Sequence, residues 1–234
     1  MLSGPWHDSL TIQIPYVRIS LVIPAYNEEG RLPAFLRDVA DFHATHESFL
    51  AEVLVVDDGS SDRTASVAEE FRSRLPLRVI RIAENRGKGA AVRAGIMEAE
   101  GDAVAFMDAD GATSPRELPK LAFALERSPV AVGNRWMPGA RVNDREPLRA
   151  VAGWIYRTYV GLFGLRGVDT MCGFKGFRSS IARSLFERLN HKRWLFDFEI
   201  MLRAKRRNYR VTNIPIAWTS KHGSKLRPLV LARA

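Results

Sequence analysis

With 234 residues, 46% of them hydrophobic, the chain is long enough to bury one full core, and it contains no linker or low-complexity stretch. Its single cysteine, Cys172, excludes an internal disulfide and fits a reducing compartment. The net charge of +9 is uneven: residues 1–134 hold 14 Lys+Arg against 20 Asp+Glu, and residues 135–234 hold 21 against 6. An acidic half suits a cation and a basic half an anion; nucleic acid is set aside as the partner because no nucleic-acid motif accompanies the positive charge.

In chain order, residues 1–17 read as an N-terminal extension with a β-prone stretch at 10–14. Residues 18–23 form a short apolar strand that ends in Pro24-Ala25-Tyr26-Asn27-Glu28-Glu29, and a helical pattern runs from about Leu32 to His46. Residues 53–56 are a second strand, ending in Asp57-Asp58-Gly59-Ser60, with Asp62 set to cap a helix that continues through Phe71. Residues 77–82 are a third, followed by Glu84-Asn85-Arg86-Gly87-Lys88-Gly89 and a helix to about Ala99. The fourth, residues 103–107, runs straight into Asp108-Ala109-Asp110-Gly111. Ser114-Pro115-Arg116-Glu117 then reads as a capping box with proline at the first helical position. Strands alternating with helices at this spacing imply a parallel sheet with right-handed crossovers, and nearly all-apolar strands imply that both faces are covered. The polar groups gather at the strand ends, so one cleft lined by all of them is the economical arrangement.

Two carboxylates in a strand-to-helix turn suit a divalent ion that also holds a diphosphate, since such ions take one or two carboxylates plus phosphate oxygens. Lys88 follows a glycine at a helix start, where it and the local N–H groups can face phosphate. Gly89 stands where a Walker A loop needs Ser or Thr, so that motif is excluded. Further on, residues 147–165 are mostly apolar, with Trp154, Tyr156, Tyr159 and Phe163 among small residues and arginines. Such a helix could lie in a lipid headgroup plane, pack on the sheet or support a dimer; it is too short, and broken by Arg157, to span a bilayer. Cys172 falls in an expected strand as a buried structural thiol. Asp197 and Glu199 open a helix that continues through Arg207. No signal peptide is expected from residues 1–15, which lack a basic start and a continuous apolar run.

The strings IPAYNEE (23–29), VVDDGSSDRT (55–64), NRGKGAAVRAG (85–95), DADGA (108–112), VGNRW (132–136), DTMCGFKGFR (169–178) and WLFDFEI (194–200) occur in a fixed order. In that order the sequence resembles the glycosyltransferase family 2 enzymes of the GT-A fold, over nearly the whole span 18–226. The resemblance is strongest to the branch that makes dolichyl-phosphate or polyprenyl-phosphate sugars. DADGAT in place of DADLQ, DTMCGFK and the terminal GSKLRP lean toward the β-glucosyl rather than the mannosyl type.

The resemblance implies an α/β GT-A fold: a Rossmann-like, mostly parallel central sheet flanked by helices, in a single domain. Residues 18–228 would form that domain, 18–134 binding the nucleotide sugar and 135–228 the acceptor. It also implies inverting, metal-dependent transfer of a hexose, glucose favoured, from a nucleoside-diphosphate sugar such as UDP-glucose to a polyprenyl or dolichyl phosphate, with Mg²⁺ or Mn²⁺. Pro24, Tyr26, Glu28, Asp57, Lys88 and Asp108 would bind the donor. Asp108 and Asp110 would hold the metal, with Asp110 its direct ligand; a glutamine ligand of the mannosyl type is replaced by Ala112. Arg135 would meet the acceptor phosphate, joined by Arg149 and Lys225. A lipid monophosphate, with a second pKa of about 6, is largely a dianion at neutral pH and needs no base. A hydroxyl acceptor would need one, and Asp197 or Glu199 would supply it. The alternatives are therefore a family 2 enzyme acting on a saccharide or small-molecule hydroxyl, a sugar-nucleotide nucleotidyltransferase, and a non-catalytic anion-binding module. A peripheral position at the cytoplasmic membrane face and a homodimer complete the expectations.

Overall fold

Residues 19–25 read ISLVIPA and all are buried, as a strand requires when helices cover both faces of its sheet. In the computed structural model, which describes residues 17–143, 147–193 and 195–221, this is β1 (Ile19–Ala25). There follow α1 (Leu32–Thr45), β2 (Leu50–Asp58), α2 (Thr64–Glu69), β3 (Leu77–Ile82), α3 (Lys88–Glu98) and β4 (Ala103–Met107). A 3₁₀ turn (Pro115–Glu117) leads into α4 (Leu118–Arg127), β5 (Val130–Asn134), β6 (Arg141–Asn143) and α5 (Pro147–Leu162). The remaining elements are β7 (Phe174–Arg178), α6 (Ser179–Phe186), α7 (Phe196–Arg206), β8 (Val211–Pro215) and β9 (Ala217–Thr219).

Among the described residues the main sheet has seven strands in the order β3-β2-β1-β4-β7-β5-β8. All neighbours are parallel except β7, which runs antiparallel to both β4 and β5. The chain winds outward from β1 to β2 and β3, then returns to place β4 on its other side. That reversal opens a crevice beyond the carboxyl ends of β1 and β4, where ligands bind in open α/β sheets. Side-chain alternation sorts the core into two layers. Ile19, Leu21 and Ile23 pack with α1, α2 and α4, while Val22 packs with α3, α6 and α7. A second, two-stranded sheet of β6 and β9 is joined to the turn after β4 by a Thr113–Trp218 bridge and a bond from Thr219 N to the Ala112 carbonyl, 2.9 Å.

Several local expectations need correction. The second helix stops at Glu69 rather than Phe71, although Asp62 does accept from Thr64 N at 2.9 Å. The capping box at Ser114 is half formed: its hydroxyl accepts from Arg116 N at 3.3 Å, but the Glu117 carboxylate turns to Lys120 at 2.8 Å. The aromatic helix ends at Leu162 rather than Leu165. Cys172 lies in the turn before β7, not in a strand, because its N–H bonds back to the Asp169 carbonyl at 3.2 Å. It is buried, and burial pushes its thiol up to about 12, which makes it inert as a nucleophile.

Candidate active site

The first wall of the crevice is made by two loops that hold each other. Asn27, at φ +51°, donates its N–H to Ser60 Oγ at 2.9 Å, and its side-chain oxygen accepts from Ser61 N at 2.9 Å. Glu28 N donates to Thr64 Oγ1 at 2.7 Å and Glu29 N to Asp62 Oδ2 at 3.1 Å. With its backbone fixed, Glu28 is gripped through its carboxylate by Arg31, at 2.7 and 2.5 Å. Asp57 serves the turn itself, accepting from Ser60 N at 2.9 Å, whereas its neighbour Asp58 faces the crevice. Asp58 accepts from Arg86 N and Gly87 N at 2.9 and 2.7 Å, and burial still raises its carboxyl above the ordinary value. That loop needs glycine: Gly87 sits at φ +97°, and a Cβ there would stand 2.7 Å from the Lys192 carbonyl.

Lys88 opens α3 and points at the end of β4, its ammonium 2.5 Å from Asp108 Oδ1. Burial works against the Lys88 charge, but Asp108, Asp197 and Asp110 outweigh it and hold the ammonium above its usual range. Asp110 accepts from Ala112 N at 2.9 Å and is pushed upward, by burial first and by the charge of Asp108 second. The charge of two neighbouring carboxylates in this turn is one that a divalent cation would offset. No group of three or more His, Cys, Asp or Glu suited to a metal stands among the described residues. The donor set fits an ion that takes Asp108, Asp110 and ligand oxygens, the pattern of Mg²⁺ and Mn²⁺. The cleft encloses about 310 Å³.

Beyond β5 lies a second charged cluster. Arg135 makes a two-pronged pair with Asp169, at 2.8 and 3.0 Å, and Asp169 also accepts Arg135 N at 3.2 Å. Burial opposes both charges, yet the pair prevails: Arg135 is raised and Asp169 lowered from their ordinary values. Trp218 covers the guanidinium, its ring centre 5.4 Å away. Asp197 is 4% exposed and bound to Lys175 Nζ at 2.6 Å; burial raises its carboxyl while Lys175 and Lys88 pull it down. Glu199 is occupied in a fold role, accepting from Asn190 N and His191 N and pairing with Arg203.

Residues 20–186 match the model of glycosyl transferase family 2. The chain belongs to that family. It is 37% identical over 230 residues to the dolichyl-phosphate β-glucosyltransferase of Drosophila melanogaster, covering 92% of this chain and 71% of that one. The human enzyme of the same name is 34% identical over 230 residues, with the same coverage. Among solved structures, glucosyl-3-phosphoglycerate synthase of Mycobacterium tuberculosis with Mn²⁺, UDP and glucosyl-3-phosphoglycerate superposes with a TM-score of 0.69 at 20% identity, over 98% of this chain and 81% of that one. At that identity the likeness shows the shared GT-A fold.

Of the residues expected at the site, this glycosyltransferase brings Pro24, Tyr26, Glu28, Lys88, Asp108 and Asp110 to one cleft. Asp57 stands one residue behind the lining, and Arg135 and Asp197 lie outside it, in the cluster beside Asp108. The Arg149 side chain and all of Lys225 are outside the described residues. Asp58, expected in the cleft with the other strand-end carboxylates, does line it, while sequence reasoning missed three polar members of the lining: Arg31, Asn85 and Arg193. Arg31 was signalled by its i,i+3 spacing from Glu28, and Arg193 by the basic run ahead of WLFDFE. It also passed over Lys175, a charge inside a strand whose other expected contacts are apolar.

Proposed function

We propose that this glycosyltransferase moves glucose from UDP-glucose to a polyprenyl phosphate of the dolichyl type, with inversion at the anomeric carbon and with Mg²⁺ or Mn²⁺. The observation that carries the reading is one cleft that gathers the Asp108/Asp110 turn with Lys88, Arg31 and Arg193, in a chain whose relatives bear the dolichyl-phosphate β-glucosyltransferase name. An α-linked donor and a β-linked product require inversion, hence a single displacement.

Asp108 and Asp110 would hold the ion, which when bound neutralises charge developing on the departing diphosphate. Lys88 exchanges Asp108 for a phosphate oxygen as the donor enters, and Arg193, whose loop seats against Gly87, adds a second cation to the same lining. The mutually bonded loops at Asn27 and Ser60 keep Tyr26 and Glu28 in place for the nucleoside, so little ordering cost remains at binding. The acceptor attacks as a phosphate dianion; Arg135, aimed by Asp169, offsets its charge, with Arg149 and Lys225 as further cations. A hydroxyl acceptor would need an accessible base, and Asp197 is buried and engaged by Lys175, which favours phosphate.

Peripheral contact with the cytoplasmic membrane face belongs to the same reading. Trp154, Tyr159 and Leu162 on α5 and the adjacent Phe163 are 41–81% exposed, and no helix among the described residues is long and apolar enough to cross a membrane. The test is product formation from a panel of sugar nucleotides and a short polyprenyl phosphate, with and without EDTA. The expected result is metal-dependent glucosyl transfer to the lipid phosphate, lost in Asp110→Ala. Donor hydrolysis with transfer only to alcohols would sink the phosphate acceptor; no binding of any sugar nucleotide would sink the whole reading.

A further inference from the structure

A lysine buried at the centre of a sheet demands a reason, because an unpaired ammonium there is strongly unfavourable. Lys175 lies in β7, in register with Phe106 of β4 and Val132 of β5, and its side chain is 1% exposed. Its three donors meet three acceptors: Asp197 Oδ1 at 2.6 Å, the Thr170 carbonyl at 3.2 Å and the Cys172 carbonyl. The two carbonyls belong to the loop that begins at Asp169, the partner of Arg135. Asp197 belongs to the first turn of α7. One ammonium therefore fastens the Asp169 loop to a rigid helix from beneath.

We propose that Lys175 is a positioning residue for acceptor transfer: by holding the Thr170 and Cys172 carbonyls it fixes Asp169, and through Asp169 the direction in which Arg135 presents its charge. It touches neither substrate. The inference rests on the phosphate-acceptor reading given above. The fold has no need of the charge as such, since a buried ion pair replaced by apolar groups of similar volume is often neutral or stabilising. The carbonyls of residues 170 and 172 do need their donor, because no apolar side chain can hold them.

The test compares wild type, Lys175→Met/Asp197→Leu and Asp197→Asn by thermal melting, UDP binding, and transfer to a short polyprenyl phosphate at saturating donor. The double variant is expected to fold and to bind UDP within about threefold of wild type. Its kcat/KM for the lipid phosphate should fall about 100-fold, the loss that a misplacement of roughly 1 Å produces. Asp197→Asn leaves Lys175 its two carbonyls and should lose no more than about tenfold. Wild-type transfer by the folded double variant overturns the proposal. So does a loss in Asp197→Asn as large as that of the double variant, because Asp197 would then be the residue that matters. A double variant that does not fold also overturns it, by making the pair a requirement of the fold alone. Absence of lipid-phosphate product from wild type in the same assay is the separate signature of a failed acceptor reading, and removes the proposal with it.

Discussion

At Gly173 the backbone passes so close to Asp108 that a Cβ would collide with the carboxylate. Its φ is not in the left-handed region, so alanine is tolerated by the backbone and the cost falls on the aspartate, which must swing aside. Gly173→Ala is therefore expected to melt close to wild type while transfer drops by about 100-fold, as when a reacting group is misplaced by about 1 Å. Parallel melting and activity curves check it. Arg135 and Asp169 make a different kind of demand. Removing the carboxylate takes away the two-pronged ion pair that holds a buried guanidinium, so Asp169→Asn should lose about 3–5 kcal/mol in denaturant unfolding. The Asp169 carboxyl is held below its ordinary value in the folded state. Its contribution is accordingly present above the unfolded carboxylate pKa and is lost as pH falls through the lower, folded value. Unfolding free energies measured downward from pH 5 should show this acid loss in wild type, and a shallower slope in Asp169→Asn.

At the scale of the element, three arginines serve helix ends. Arg178 donates to the carbonyls of Leu125 and Glu126 at the end of α4, at 2.7 and 2.6 Å. Arg93 reaches the Phe186 and Glu187 carbonyls and Arg203 those of Leu185 and Arg188, all at the end of α6. Cations satisfy carbonyls that the last helical turn leaves open, and they oppose the helix dipole. Arg178→Met should cost about 1.5–3 kcal/mol and lower the melting temperature by several degrees, about 2–4 °C per kcal/mol for a chain of this size. Part of the positive charge read from composition thus has a structural use that composition alone does not reveal. The proposed membrane contact is tested separately, on α5. Replacing Trp154 and Leu162 together with serine should abolish co-flotation with anionic liposomes and leave the melting temperature unchanged, since both side chains are exposed.

For the whole molecule, what was legible in the sequence is what local pattern encodes. The strands at 77–82 and 103–107 appear at the expected residues: AVAFM is an unbroken apolar run covered on both faces, and LRVIRI is a β-branched run broken by two arginines, as suits the edge strand it forms. The turn carboxylates and Lys88 converge because parallel winding brings successive strand ends to one edge. What escaped is non-local. No periodicity in FKGFR reveals that β7 inserts antiparallel between β4 and β5, or that its lysine finds Asp197. Arg193 reaches the cleft because its loop seats against Gly87 and Gly89, where a Cβ would strike the Lys192 carbonyl and Phe196. Of the adjacent carboxylates Asp57 and Asp58, strand alternation alone sends one to the turn and the other to the crevice.

The insertion of β7 has a consequence for how this protein comes off the ribosome. β4 and β5 share no hydrogen bonds; each is joined to the sheet's other side through β7, some forty residues further along the chain than β5. While only the first 134 residues have been synthesised, the nascent sheet ends at β4, whose AVAFM backbone is an unpaired, apolar edge. β5 waits unattached until residues 174–178 emerge, and such an open edge is a template for association with other chains. A fragment ending at Asn134 should accordingly aggregate or remain bound to chaperone, and one extended to residue 186 should gain solubility sharply, as read by sedimentation of stalled chains.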